Sequence, residues 1–285
     1  MIKSWADEYD SDMDEYFNDN KTQNVTKKVD TEYSLKFSDK ICERKCSIDY
    51  KKFTIVENSR YSSLMPWYLS QVNTFLSNIY TSKTFQHKKV KKIIDVGANI
   101  GVDSINFLLN FQNTQLVCFE IESNTYNILC KNLLEYTSVT KLKTIEQLTN
   151  INSNIQAYNK DFLSCFEYIY NADIVFIDAP WGGSIYKDKI NVSIYLQPED
   201  DYYNIHNYDS SKNIIIITKK ILEKKYKVRT VLLKVPYNYE FDHFEKDLKY
   251  FNSGISIKYK KIYKGNTNYV AFVLICVFNV FNNYD

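Results

Sequence analysis

From residue 90 onward, short apolar runs alternate with amphipathic stretches, and this alternation is the most regular pattern in the chain. Ile93 to Val96, Gln115 to Glu120, Ile155 to Tyr158 and Ile174 to Ile177 each read as a strand. They are too short for helices, are mostly rich in β-branched and aromatic residues, and most run into turn residues. Between them, Val102 to Phe111 and Thr125 to Tyr136 carry apolar positions at helical spacing, the second with Ser123 as a candidate cap. A polar, Tyr-rich loop through residues 195–207 leads into a further helix, Ser211 to Lys224. Thr230 to Val235, Ser256 to Tyr263 and Tyr269 to Phe278 supply the last strands, the final two as a hairpin. Strands separated by helices predict an α/β, Rossmann-like fold with a mainly parallel sheet and an antiparallel edge.

Upstream the pattern changes. Residues 1–30 are acidic (Asp7, Glu8, Asp10, Asp12, Asp14, Glu15, Asp19) with little apolar periodicity, the composition of a disordered tail. Residues 31–86 read as an N-terminal extension covering the active site. Within it Pro66 opens a helix whose Trp67, Leu69, Val72, Phe75, Leu76 and Ile79 recur near every 3.6 residues. Residues 87–285 then form the catalytic domain.

Composition adds little: 45% hydrophobic and 25% charged is ordinary for a globular chain of 285 residues. The net charge of +2 demands no polyanionic partner, although basic clusters at 88–92, 219–227 and 258–264 suit a body that meets an anionic ligand. The six cysteines are scattered, and Cys42 and Cys46 lack the His or second Cys pair that zinc requires, so no metal is expected. No signal peptide is evident, and the apolar run from Tyr269 to Phe281 is too short to span a bilayer. The expectation is a protein of the nucleus or cytoplasm, from a protist or a large DNA virus, with no membrane partner.

The candidate chemistry sits where glycine does. Four of the six glycines fall in Asp95-Val96-Gly97-Ala98-Asn99-Ile100-Gly101 and Asp178-Ala179-Pro180-Trp181-Gly182-Gly183, each after a strand. A strand ending in Asp, then Gly-x-x-x-Gly opening a helix, is a nucleotide-type turn: Gly97 permits the bend and the helix N–H groups face the ligand. The spacing is not that of the dinucleotide fingerprint, and no Walker lysine follows. Glu120, ending the next strand, can accept from two ribose hydroxyls. Asp161, after the third, can accept from an adenine amine or cap the following turn, and Phe162 can pack on the ring. The predicted cofactor set is Asp95, Gly97, Asn99, Gly101, Glu120, Asp161 and Phe162.

The second segment resembles the polar-Pro-Pro-aromatic loop of amine methyltransferases, and its Trp-Gly-Gly extension resembles the trimethylguanosine synthase family, whose loop reads Ser-Pro-Pro-Trp-Gly-Gly-Pro. Asp161-Phe162-Leu163 also matches that family, and Arg60 to Pro66 resembles its Trp-Phe-Ser-Val-Thr-Pro segment. The resemblance covers roughly residues 60 to 275. It implies a class I methyltransferase with a seven-stranded sheet and S-adenosylmethionine as cofactor. The implied reaction is methylation of the exocyclic N2 of the 7-methylguanosine cap of RNA, giving 2,7-dimethyl- or 2,2,7-trimethylguanosine. Asp178 and the carbonyl beside Pro180 would orient the amine, and Trp181 would stack on the base. Tyr61, Ser62, Arg60, Lys234 and Asn238 would complete the substrate site.

Three departures bear on substrate. Asp178 replaces serine, as in the Asp-Pro-Pro-Trp loop of adenine N6 methyltransferases. Ala179 replaces a proline. Tyr237 replaces the arginine that serves the cap phosphates, leaving Lys234, Arg60 or Lys187 to meet them. The alternatives are therefore adenine N6 or guanine N2 in structural RNA, and an inactive homologue that binds caps or RNA.

Overall fold

The computed structural model describes residues 33–34, 54–55, 66–80, 89–111, 113–136, 154–196, 209–264 and 267–279. The acidic tail, Cys42 and Cys46, and Arg60, Tyr61 and Ser62 lie outside them. A two-residue antiparallel ladder, Tyr33–Ser34 with Thr54–Ile55, stands apart from the main sheet.

The main sheet contains β1 (Lys92–Val96), β2 (Gln115–Phe119), β3 (Ile155–Tyr158), β4 (Ile174–Ile177), β5 (Thr230–Val235), β6 (Ile255–Tyr263) and β7 (Val270–Asn279). Its spatial order is β3-β2-β1-β4-β5-β7-β6. β1 to β5 run parallel, and β7 is antiparallel to both of its neighbours. This is the Rossmann-like, seven-stranded, mainly parallel sheet that the sequence leads one to expect. The antiparallel strand lies one place in from the edge, and its hairpin partner β6 forms the edge itself.

Alternate residues of each central strand feed opposite faces, as a pleated sheet requires. Ile93, Leu116, Cys118, Ile174, Phe176 and Leu232 pack beneath three helices: α1 (Pro66–Tyr80), α2 (Val102–Asn110) and α3 (Ser123–Tyr136). Ile94, Val117, Phe119, Val175, Ile177 and Leu233 pack beneath α4 (Ile214–Ile221), α5 (Phe241–Phe251) and the short 3-10 turns after β3. Burial on both faces explains the unbroken apolar runs of β1, β2 and β4.

α1 belongs to the first of these cores. Leu69, Val72, Leu76 and Ile79 are each at most 3% exposed, and burying such side chains contributes about 1.5–3 kcal/mol apiece. The Gln71 amide fixes the register of this contact: its Nε2 donates to the Tyr263 carbonyl (2.8 Å) and its Oε1 accepts from the Tyr263 N–H (3.0 Å).

Two expectations shift and one element is new. α3 starts at Ser123 itself, and Glu122 caps it by accepting from the N–H groups of Asn124 (2.7 Å) and Thr125 (3.0 Å). α4 is shorter than the apolar pattern suggests because Asn213 caps it, accepting from Ile215 N–H at 2.8 Å. α5 is absent from the sequence reading; only Phe244 and Leu248, one turn apart, are buried within a charged segment.

Candidate active site

The loops after β1 and β4 emerge side by side, because these strands are neighbours at the point where the sheet order reverses. In α/β sheets that crevice, at the carboxyl ends of the strands, is where ligands bind. Val96 pairs with Ile177, and the Asp178 N–H donates to the Val96 carbonyl at 3.2 Å.

The first loop is tied to β2 rather than left to flex. The N–H groups of Gly97 and Ala98 both donate to the Phe119 carbonyl at 3.0 Å. Asn99, with φ of 49°, donates its N–H to Glu120 Oε2 at 2.9 Å, while Glu120 Oε1 accepts from Glu122 N–H at 2.9 Å. Burial lifts the Glu120 carboxyl above its ordinary range, and the backbone donors of Glu122 and Asn99 oppose that shift. A carboxylate has about four acceptor positions; the N–H groups of Glu122, Asn99 and Ile121 draw on it here, so Glu120 retains capacity for a hydroxyl donor. Gly101, with φ of 91°, ends the turn; a Cβ there would stand 2.8 Å from Leu129 Cδ1.

Asp95 lies beneath this loop with no exposed surface. Its Oδ2 accepts from the Ser104 hydroxyl at 2.5 Å, and its buried Oδ1 has no partner among the described residues. Burial first, and then Asp103, hold its carboxyl well above the ordinary range.

After β3, Asp161 caps a 3-10 turn: Oδ1 accepts from Leu163 N–H at 2.9 Å. Phe162 follows it, with its ring in the core. It is 3% exposed and packed between Phe119 and Phe166, with centroids 5.6 and 5.0 Å away, so it is a core side chain. Asn159, which the sequence does not single out, joins the strand ends by donating to the carbonyls of Glu120 (2.9 Å) and Ile121 (3.0 Å).

In the second loop Ala179 is buried, whereas Asp178, Pro180 and Trp181 are half-buried. Trp181 wedges at the end of the sheet and packs against both cores. Its indole N–H donates to the Lys234 carbonyl at 3.4 Å, and Tyr186 meets it edge-on at 5.4 Å. Tyr68, in the first turns of α1, is close enough to Tyr186 for their phenols to interact electrostatically.

Lys234, near the carboxyl end of β5, is 5% exposed, and its Nζ lies 2.5 Å from Asp178 Oδ2. Burial pulls the ammonium down, while Asp178, Asp103 and Asp95 together hold it above its ordinary value. Asp103, in the first turn of α2, joins this cluster unforeseen. Its carboxyl is pushed up to about 7 by burial, with Lys234 opposing and Asp178 reinforcing the shift.

Asn238 pins the loop: its Nδ2 donates to the carbonyls of Tyr186 and Lys189, both at 2.7 Å. Its amide is therefore a brace for the loop after β4. Tyr237 is 38% exposed, with its hydroxyl 3.5 Å from the Lys187 carbonyl. Among the described residues no cluster of His, Cys, Asp and Glu could hold a metal ion, and no helix is long and apolar enough to cross a membrane.

No family model matches the sequence. An uncharacterised protein of Acanthamoeba polyphaga mimivirus is 28% identical over 166 residues, covering 57% of this chain and 53% of that protein. The match thus spans about half the length of that relative. Among solved structures, the human methyltransferase 10 domain containing protein overlaps with a TM-score of 0.45 at 9% identity, over 75% of this chain and 83% of that one. An O-methyltransferase from Bacillus cereus, solved in complex with SAH, overlaps with a TM-score of 0.43 at 11% identity, over 76% and 83%. It is the strand order, not these overlaps, that defines the fold.

Proposed function

We propose that the chain uses S-adenosylmethionine to methylate the exocyclic N2 of the 7-methylguanosine cap of RNA. The observation that carries this reading is the juxtaposition of the Asp178–Pro180–Trp181 loop with the Gly97 turn across β1 and β4.

The residues present fit the cofactor. Gly97 lets the turn pass directly against the Asp178 backbone, and Glu120 retains acceptor capacity for a ribose hydroxyl. Asp95, Gly97, Asn99, Gly101 and Glu120 would hold it, with Asp161 beside the adenine. When bound, it would supply an electrophilic methyl group carried on a sulfonium.

The chain's own contribution is positioning, which can supply much of a rate gain. Asp178 and the carbonyl beside Pro180 would accept the two N–H bonds of the target amine, directing its lone pair outward. Trp181 would stack on the base; 7-methylguanine is cationic, so the indole adds cation–π attraction to stacking. No strong base is needed, because the proton can leave to water after the nitrogen has been alkylated.

Asp178 in place of serine favours one rival, an adenine N6 acceptor. Ala179 and Tyr237 favour another, an inactive cap-binding homologue. The likeness to a mimivirus protein supports an intracellular, viral or protist setting.

Purified protein with labelled cofactor should methylate a 7-methylguanosine cap dinucleotide, and mass spectrometry of the product counts the methyl groups. Transfer to uncapped or adenine-containing RNA alone would refute the cap assignment. Cap binding without cofactor binding, by calorimetry, would indicate the inactive homologue.

A further inference from the structure

We infer that Lys234 is a positioning residue for the acceptor site: its buried ammonium holds the Asp178 carboxylate in place, and in its anionic form, for a target amine. The inference rests on the amine methyltransferase reading above.

The sheet register produces the pair. Ile177 of β4 is opposite Leu233 of β5, so the next residues, Asp178 and Lys234, meet at the carboxyl ends of the two strands. Lys234 Nζ binds Oδ2 at 2.5 Å, and among the described residues no donor is bonded to Oδ1. The same lysine lies 5.9 Å from the Trp181 ring centroid, and its carbonyl accepts from that indole. One residue thus braces both members of the acceptor loop that would touch the base.

The chemistry needs this partner. A carboxylate removed from water tends to take up a proton unless an opposite charge stands beside it. Burial does lift the Asp178 carboxyl above its ordinary range, and Lys234 is the group that pulls it back. Once protonated, Asp178 would present a donor where a target amine needs an acceptor. A carboxylate accepts only, so in its anionic form it selects an N–H donor over a ring nitrogen or carbonyl. Among the described residues, the other charged groups facing the pair are acidic: Asp103 from α2 and Asp95 from β1. They leave Lys234 as the cation that offsets Asp178.

The test uses the full chain. In Lys234→Met, the midpoint of the Asp178 carboxyl, followed by carbon-detected NMR without cofactor, should rise by about 1–3 pH units. The acid limb of kcat should rise with it, and kcat should fall on the order of 100-fold while cofactor KM holds. Lys234→Arg should retain the wild-type profile.

The neutral pair Asp178→Asn with Lys234→Met keeps the test decisive if the single variant does not fold, since it removes the Asp178 charge together with its bonded partner. It should transfer methyl with the acid limb abolished. An unmoved Asp178 midpoint, a neutral pair that folds but is inactive, or one that keeps the wild-type acid limb would each overturn the inference. Wild-type protein that transfers methyl to no amine would instead overturn the function above.

Discussion

Gly97 lies directly against the backbone of Asp178: a Cβ built on Gly97 would stand 2.7 Å from the Asp178 carbonyl oxygen. The Gly97 turn and the Asp178 loop therefore touch through main-chain atoms that cannot move aside as a side chain could. Gly97 also has φ of 75°, in the left-handed region. Gly97→Ala should cost roughly 1–2 kcal/mol for the backbone conformation alone, with the overlap adding to it. Calorimetry should show loss of cofactor binding at a temperature where circular dichroism still reports a folded chain. An alanine variant that binds cofactor normally would remove the turn from the site.

Glu120 fastens that turn through a carboxylate bonded to two N–H groups, from Asn99 and Glu122. Glu120→Gln would keep one acceptor and point an amide N–H at a backbone N–H. Losing a hydrogen bond to a charged group costs about 1.5–3 kcal/mol. Cofactor affinity should fall by roughly 10- to 100-fold, as measured by calorimetry, with little change in cap affinity.

The strands were legible because β1, β2 and β4 are covered on both faces and so read as apolar runs with turn residues behind them. The two loops were legible because glycine is scarce elsewhere. What the chain hides are relations across strands. Lys234 reads as a surface charge until Ile177 is found opposite Leu233, which turns the lysine onto Asp178. Asp103 reads as an ordinary first-turn acid until α2 brings it against the same lysine. α5 escapes notice because Phe244 and Leu248 are its two fully buried anchors among charged neighbours.

Trp181 has two jobs that different substitutions separate. Trp181→Ala should weaken binding of a 7-methylguanosine cap dinucleotide by about 1–3 kcal/mol, the range for one stacked base. It should also lower the unfolding temperature, because the indole packs against both cores. Trp181→Phe keeps a ring and gives up only the bond to the Lys234 carbonyl, so cap affinity should recover most of the loss. Normal turnover of the alanine variant at low cap concentration would refute the stacking role.

Tyr237 stands where the resemblance implies a phosphate-binding arginine, and it is 38% exposed beside Lys187. Tyr237→Arg should therefore tighten binding of capped RNA. One added phosphate contact on a single strand steepens the log–log salt dependence by about 0.7. Binding titrations across a salt series read that slope directly. A tighter complex with an unchanged slope would mean that the arginine acts without touching phosphate.

Asp103 makes a prediction that needs no substrate. Its folded carboxyl titrates at about 7 against an ordinary value of 3.8, chiefly through burial. Between those values the native chain holds a proton that the unfolded chain has released. Stability therefore falls as pH rises through this window: the contribution is complete below the ordinary value and lost by the time pH passes about 7. Asp95 and Glu120 are shifted in the same direction, so they give slopes of the same sign. The informative quantity is thus a difference between proteins. In urea unfolding at pH 5, 6, 7 and 8, Asp103→Asn should gain on the wild type as pH rises to about 7 and level off above it. Lys234 works against the effect by favouring the charged carboxylate. Parallel wild-type and Asp103→Asn curves would mean that Asp103 ionises outside this range.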